Sequence, residues 1–373
     1  MLRLMPYVFS PAKLPEIPIY LVHFITSKCN AKCPHCFVYD ENGEVATGSG
    51  ADLSLEEIVR FVRQIDTPLY NVNLTGGEPF SRQDILEICV AYLKYTTVQS
   101  IQLLTNGWYT DRIVNLMEYL CREYPSCNFV ICISIDNLHE KHDMYRQLRG
   151  GFERAINTYT RLKNLKSKNL NLDIGITVNH YNQENLEEIY DYLVHEIKVD
   201  TLSCAITRGT VKDPKSKDVN FEKYKYFCKK IDGGIKNGEL NCFRKFHGAD
   251  LLNAKSVVMR DYAIPYIRKK GFLSKCYAGR LVGVLYSNGD VYPCELLDSP
   301  IGNVRQYDYS FKRLWASSNA VRIRKRIWDT KCHCEHESFQ TVNILFNLKY
   351  YPRIIKEYLM IKMKNAKYLL GGL

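Results

Sequence analysis

The sequence predicts an α/β protein, a partial (β/α)6 barrel carrying a small C-terminal α+β extension. Three observations lead there. Between residues 17 and 206, six short apolar runs alternate with longer segments of helical periodicity. Beyond about residue 240 the alternation stops and a hairpin pattern follows. Seven of the 14 cysteines gather in two places, the loop after the first apolar run and the last third of the chain.

IYLVHFIT (19–26), bounded by Pro18 and Ser27, reads as a buried strand. LSLEEIVRFVRQI (53–65) has apolar residues at helical spacing, with Ser54 as N-cap and Glu57 three positions on, the pattern of a capping box. Strands over 70–75, 100–105, 128–136, 171–179 and 201–207 alternate with helices over 85–95, 112–124, 151–165 and 185–197. Such βα repetition calls for a parallel sheet with right-handed crossovers. Six units are too few to close an eight-stranded barrel, so an open, TIM-like partial barrel is expected, with chemistry at the C-terminal strand ends. After a helix at 219–237, residues 240–270 read as an irregular basic connector. RLVGVLYSNGDVYPCE (280–295) reads as a hairpin closed by a type I′ turn at Asn288-Gly289, and the tail from about 341 as helical. The expected division is an N-terminal segment 1–16, the barrel 17–240, the connector 241–270, the extension 271–340 and the tail 341–373.

The 373 residues are 46% hydrophobic and 24% charged, which excludes wholesale disorder. No apolar run reaches the roughly twenty residues of a membrane span, and prolines interrupt the stretch where a signal peptide would lie. The expected compartment is the cytoplasm. About half of the net charge of +11 lies late, in KKGFLSK, RIRKR and KMKNAK, and it reads as a solvated basic face. Nucleic acid ranks low as a partner, because no RNP-like strand accompanies the charge. YYPRIIKEYLMIKMK leaves open a basic helix lying on a membrane surface. Cys89, Cys121, Cys127, Cys132, Cys204, Cys228 and Cys242 are scattered and read as core hydrophobes or incidental thiols.

Cys29-x-x-x-Cys33-x-x-Cys36 follows the first strand directly. A structural zinc or a closed iron–sulfur cluster takes four protein ligands, whereas three thiolates leave one iron of a cubane open for chemistry. His35 keeps a zinc reading in competition. After the second strand comes Thr75-Gly76-Gly77-Glu78-Pro79, where the glycines allow close backbone approach to a ligand and Glu78 offers an acceptor to an ammonium group. Leu104-Thr105-Asn106-Gly107 ends the third strand, and Ser134-Ile135-Asp136 ends the fourth, followed by HEKHDMYRQLRGGFERAI with its HD-x-x-R element.

Together these motifs, in this order over about 190 residues, resemble the radical S-adenosylmethionine (radical SAM) superfamily. The resemblance implies a [4Fe–4S] cluster on Cys29, Cys33 and Cys36 that binds SAM, with Gly76, Gly77, Glu78, Pro79 and Asn106 around its methionine end. Ser134, Asp136, Thr177 and Asn179 are then expected near SAM, and His35 stands where the family usually has an aromatic residue near the adenine. The implied chemistry is reductive cleavage of SAM to a 5′-deoxyadenosyl radical that abstracts hydrogen from substrate. A reductant such as flavodoxin or ferredoxin is the implied partner.

Cys276, Cys294, Cys332 and Cys334 resemble the shortened, "twitch" form of the SPASM extension, with Tyr292-Pro293-Cys294-Glu295 closing the hairpin. The resemblance implies an auxiliary [4Fe–4S] cluster. Ser338 stands where related extensions often have cysteine, and His333 or His336 could replace a ligand. A zinc knuckle is the competing reading. The chain is thus expected to be an oxidoreductase acting on a small molecule, anionic or sugar-derived, whose auxiliary cluster accepts an electron. Arg208, after the sixth strand, is the candidate for a substrate phosphate or carboxylate, with a surface ion pair as the alternative. A peptide maturase served by a separate recognition protein is the second reading, and a non-enzymatic electron-transfer or metal-binding protein the third.

Overall fold

The computed structural model describes residues 15–38, 50–240, 249–269, 272, 274–332 and 337–370. The elements run β1 (Tyr20–Thr26), α1 (Leu55–Arg63), β2 (Asn71–Gly76), α2 (Ile85–Tyr95), β3 (Ser100–Thr105), α3 (Thr110–Glu123) and β4 (Asn128–Ser134). Next come α4 (His139–Arg146), α5 (Gly151–Asn164), β5 (Leu170–Val178), α6 (Leu186–Asp191), β6 (Leu202–Ile206), α7 (Phe221–Asn237) and α8 (Ala249–Lys269). The extension holds β7 (Val282–Leu285), β8 (Asp290–Tyr292), β9 (Gly302–Asn303), α9 (Phe311–Trp315), α10 (Ser318–Asp329), α11 (Glu337–Leu345) and α12 (Tyr351–Leu370).

The described strands form one sheet in the order β6-β5-β4-β3-β2-β1-β7-β8-β9. Strands β1 to β6 pair in parallel with their chain neighbours, and β6 is an edge, so the barrel is open as expected. One sheet face is apolar: Val72, Leu74, Ile101, Leu103, Phe129, Ile131 and Ile133 are fully buried. By strand alternation the other face carries Tyr20, Asn71, Asn73, Gln102, Cys132, Asp173 and Ser203. The same face also carries Val22, Leu104 and Val130, so a mixed face turns to the lumen and a mainly apolar face to the helices, and a slip of one residue would exchange them.

The extension continues this sheet. β7 pairs in parallel with β1, Tyr20 opposite Val282 and His23 opposite Leu285. A second joint lies at α1, where the capping box forms as the sequence indicates. Glu57 also accepts from Arg305 Nε (2.6 Å), Arg305 Nη2 (2.9 Å) and the Tyr309 hydroxyl (2.7 Å), tying the first helix of the barrel to the extension.

Three expectations need correction. Residues 249–269 form a helix packed against α11 and α12, where the sequence suggested an irregular connector; Pro265 and weak amphipathicity concealed it. α4 was not foreseen because HEKHDMYR has almost no apolar periodicity. The hairpin turn is not type I′: Gly289 alone of the pair has positive φ (+92°), and Asn288 Oδ1 instead accepts from Asp290 N at 3.0 Å. The loop thus has three residues ending on a left-handed glycine. Of the scattered cysteines, Cys89, Cys121, Cys127, Cys132 and Cys228 are buried, Cys204 is partly buried, and Cys242 lies outside the described residues. Among the described residues no helix is long and apolar enough to cross a membrane.

Candidate active site

The loop of Cys29, Cys33 and Cys36 leaves the C-terminal end of β1 and is held from several sides. Asp52 accepts from Thr26 Oγ1 (2.8 Å) and Ser27 N (3.1 Å). Arg82 Nη1 donates to Ile25 O (2.7 Å) and Leu53 O (2.9 Å). Gly77 N donates to Thr26 O (2.9 Å), Glu78 N to Lys28 O (2.8 Å) and Lys32 N to Arg146 O (3.0 Å).

These contacts give the two glycines a different reason from the one the sequence suggested. A β-carbon on Gly76 would stand 2.2 Å from Thr26 O, and one on Gly77 2.2 Å from Lys28 O. Gly76 also has φ of +141°. What comes close here is the backbone of the cysteine loop itself.

Glu78 is 1% exposed. Its Oε1 accepts from Thr105 Oγ1 (2.8 Å) and Phe80 N (3.1 Å), and its Oε2 from Asn106 N (2.7 Å). Burial nevertheless outweighs these donors and raises its pKa to about 7. Pro79 opens the short 3-10 turn behind it. Asn106 Nδ2 donates to Asn30 Oδ1 (2.8 Å), linking the third strand end to the cysteine loop.

The HD-x-x-R element proves to be a scaffold. Arg146 Nε and Nη2 donate to Asp136 Oδ2 at 2.9 and 2.6 Å, and Asp136 Oδ1 accepts from Thr177 N at 2.8 Å. Burial, the largest influence, would raise the Asp136 pKa, but the Arg146 guanidinium, the neighbouring His35 and His142 and the Thr177 amide together hold it below the usual range. His142 Nδ1 accepts from Asp136 N (3.2 Å), and Asp143 accepts from Phe152 N (2.8 Å) at the start of α5. Asp136 is therefore bound within the protein. His35 stacks on Tyr145 (5.3 Å between ring centroids, 11° between planes), and its Nδ1 lies 2.6 Å from the Tyr145 hydroxyl. Burial lowers the His35 pKa to about 4, so the ring is neutral at pH 7. Asn179, fully buried, accepts from Tyr181 N (2.8 Å) and donates to Thr177 O (2.7 Å), a turn that shapes the end of β5. Ser134 ends β4 half-buried. Arg146, Tyr145 and Asn30 received no role from the sequence, although HD-x-x-R was the signal for the first.

The three thiols of the loop fit one shared cluster: Cys33 and Cys36 lie close enough to Cys29 to act on its ionisation, and a cubane takes its thiolates on different irons. Burial pushes the Cys29 and Cys33 thiols up to about 12 and about 11, so both need a strong cation to ionise. Asn30 Nδ2 is buried in the same loop without a hydrogen-bond acceptor, a donor available to a bound group.

Beneath the loop lies the polar lumen. Asn73 Nδ2 donates to the Tyr20 hydroxyl (2.5 Å) and Asn71 Nδ2 to Asn73 Oδ1 (2.7 Å). Asp173, 5% exposed, accepts from Ser203 Oγ at 2.6 Å through Oδ2, and the Cys132 thiol also interacts with its carboxyl. Burial raises its pKa to about 7. Arg208 Nη2 donates to Glu295 Oε2 (3.1 Å), and its guanidinium lies 5.6 Å from the centroid of the Phe37 ring. The ion pair named as the alternative is thus formed, though largely buried, and it links the residue after Cys36 to the residue after Cys294. Phe24, stacked on Tyr286 at 4.7 Å and edge-on to Phe37 at 6.2 Å, continues the link.

In the extension, Cys276 and Cys294 are buried, and Cys332 is half-buried and close enough to Cys276 to act on its ionisation. Ala278 N donates to Cys276 Sγ (3.5 Å) and Leu297 N to Cys294 Sγ (3.3 Å). His333, Cys334 and His336 lie outside the described residues, as does the Ser338 side chain.

Residues 24–193 match the Radical SAM superfamily and residues 276–335 match SPASM, an iron–sulfur cluster-binding domain. The chain belongs to the radical SAM superfamily. Its radical SAM domain implies a [4Fe–4S] cluster and SAM, and its SPASM domain implies auxiliary iron–sulfur binding. An Fe-coproporphyrin III synthase of Methanosarcina barkeri is 26% identical over 192 residues, covering 50% of this chain and 43% of that protein. The sporulation killing factor maturation protein SkfB of Bacillus subtilis is 22% identical over 85% of this chain and 69% of its own length. Among solved structures, anSMEcpe with bound AdoMet superposes with a TM-score of 0.61 at 19% identity, covering 94% of this chain and 96% of that one. Streptococcus suis SuiB bound to precursor peptide SuiA superposes with a TM-score of 0.59 at 19% identity, covering 87% and 69%. At such identity these superpositions establish the fold.

Two outcomes follow. Gly77→Ala forces the cysteine loop away from β2, so iron content after anaerobic reconstitution falls by more than half, while Gly233→Ala, with nothing within 4 Å of the added carbon, leaves it unchanged. Asp173 has a folded-state pKa above its unfolded value of 3.8. The folded state therefore holds the proton more tightly, and stability declines as pH rises from about 4 to about 7, then levels off. In urea denaturation across this range, Asp173→Asn gains stability relative to the wild type as pH rises; a constant difference contradicts the assignment.

Proposed function

We propose that this radical SAM protein is an oxidoreductase that removes hydrogen from a peptidyl substrate held in the barrel lumen. In this reading Cys29, Cys33 and Cys36 each hold one iron, and Glu78, with the Asn106 backbone behind it, receives the SAM ammonium group. Gly76, Gly77 and Pro79 shape that edge. Ser134, Thr177 and Asn179 form the rim facing SAM, and Asp136 with Arg146 positions His35 beside the adenine. When bound, the cluster and SAM supply a 5′-deoxyadenosyl radical, while the protein orients the substrate and excludes water. Cys276, Cys294, Cys332 and Cys334 would hold the auxiliary cluster as acceptor of the second electron.

The observation that carries the substrate class is the lumen lining. Tyr20, Asn71, Asn73, Gln102 and Ser203 offer neutral amides and hydroxyls, matched to backbone amides, and Arg208 is neutralised by Glu295. Among the lumen residues named here a phosphate would meet no pair of cations. SkfB, named a maturation protein, and SuiB, solved with its precursor peptide, agree with this reading. A small carboxylated molecule is the second reading, favoured by Arg208 Nε, a buried donor that has no acceptor.

Anaerobically reconstituted protein given dithionite and SAM is expected to carry about eight irons per chain and to release 5′-deoxyadenosine. Cys33→Ala should abolish that release. Peptides deuterated at carbon should transfer deuterium into the 5′-deoxyadenosine; transfer only from small carboxylates selects the second reading. Release equal to that of Cys33→Ala leaves an electron-transfer module.

A further inference from the structure

Helix α12 has two apolar faces, of which the described residues cover one. Ile354, Glu357 and Ile361 are each about 3% exposed or less and pack toward α7 and α8. Glu357, the sole acid of the helix, belongs to this buried face, where Lys236 Nζ lies 3.4 Å and Arg353 Nε 3.3 Å from its carboxylate. On the other side Ile355, Leu359 and Met363 are 51%, 52% and 66% exposed. They stand four residues apart, so they form one continuous stripe. Leu348, 46% exposed, lies in the 3-10 turn just before the helix.

Single exposed apolar side chains are ordinary, but an aligned stripe marks a surface that meets something. Its flanks say what. At 100° per residue Lys356 borders the stripe on one side and Lys362 on the other, and both are exposed. Lys362 Nζ lies 5.5 Å from the centroid of the Tyr358 ring, which holds the ammonium at the edge of the stripe. Residues 351–370 hold five basic side chains against the one buried acid. A second copy of the chain would bring the same lysines into opposition, whereas an anionic surface complements them.

We propose that this outer face of α12 docks on an anionic lipid bilayer, with Ile355, Leu359 and Met363 in the acyl boundary and Lys356 and Lys362 at the headgroups. The helix would lie in the plane of the interface, with its inner face still packed on α8. This docking is independent of the substrate assigned above.

The test is co-sedimentation of the cluster-loaded, full-length protein with phosphatidylcholine vesicles, with and without phosphatidylserine. Binding is expected only when phosphatidylserine is present, and it should weaken as salt rises. Lys356→Glu with Lys362→Glu lowers the partition by about 30-fold, from the loss of two headgroup attractions. Ile355→Ser with Leu359→Ser and Met363→Ser lowers it by on the order of 100-fold. Because these side chains face outward, iron content and circular dichroism should not change. Equal binding to both vesicle types, or unchanged binding by the serine variant, overturns the proposal. So does a doubled mass in light scattering that the serine variant abolishes, which would assign the stripe to a second copy.

Discussion

The end of β2 lies against the carbonyls of Thr26 and Lys28 with no room for a β-carbon, and the cysteine loop takes its position from that contact. Two glycines allow it, and the hydrogen bonds from Gly77 N and Glu78 N fix it. Cys29 then begins one residue beyond a backbone pinned to two strands, and Glu78 enters the same space from the other strand. The parallel sheet makes this geometry available, because β1 and β2 end side by side and at the same end.

Around this joint the buried charges are arranged in two different ways. Asp136 has a guanidinium and a backbone amide, which keep it ionised in a setting that would otherwise neutralise it. Glu78 has only neutral donors, and burial leaves it near the point where it shares its proton. A carboxylate in that condition gains from an incoming ammonium group, whereas one already paired to arginine does not. Asp136 is suited to holding the scaffold and Glu78 to meeting a cation. The lumen below repeats the contrast, with Asp173 an acid held by neutral donors alone, the Ser203 hydroxyl and the Cys132 thiol.

Much of this was legible in the sequence. The barrel strands are buried on at least one face and so stand out as apolar runs; 100–105 and the helix 85–95 match to the residue. The cysteine spacing and the Gly-Gly-Glu step were visible because they are short and local. Arg146, Tyr145 and Asn30 were less visible, since their partners lie far along the chain: Asp136 lies ten residues before Arg146, His35 lies 110 before Tyr145, and Asn106 lies 76 after Asn30. The polar helix α4 and the proline-bearing α8 lack the periodicity that reveals a helix. The contact that the glycines make with the cysteine loop is not legible in the sequence, which gives no distance between two backbones.

The extension joins β1 along its edge, so the strand that delivers Cys29 also supports the hairpin that delivers Cys294. Arg208, Glu295, Phe37, Phe24 and Tyr286 form a chain of contacts between the two loops. With three sulfurs holding the cluster, one iron would be free to bind SAM. Electron–nuclear double resonance on the dithionite-reduced protein, mixed with SAM labelled at its amino nitrogen and carboxylate oxygen, tests it most directly. Hyperfine coupling of both labels to the cluster is predicted. A reduced-cluster signal with no coupling to either label would show the fourth iron already occupied and contradict the claim.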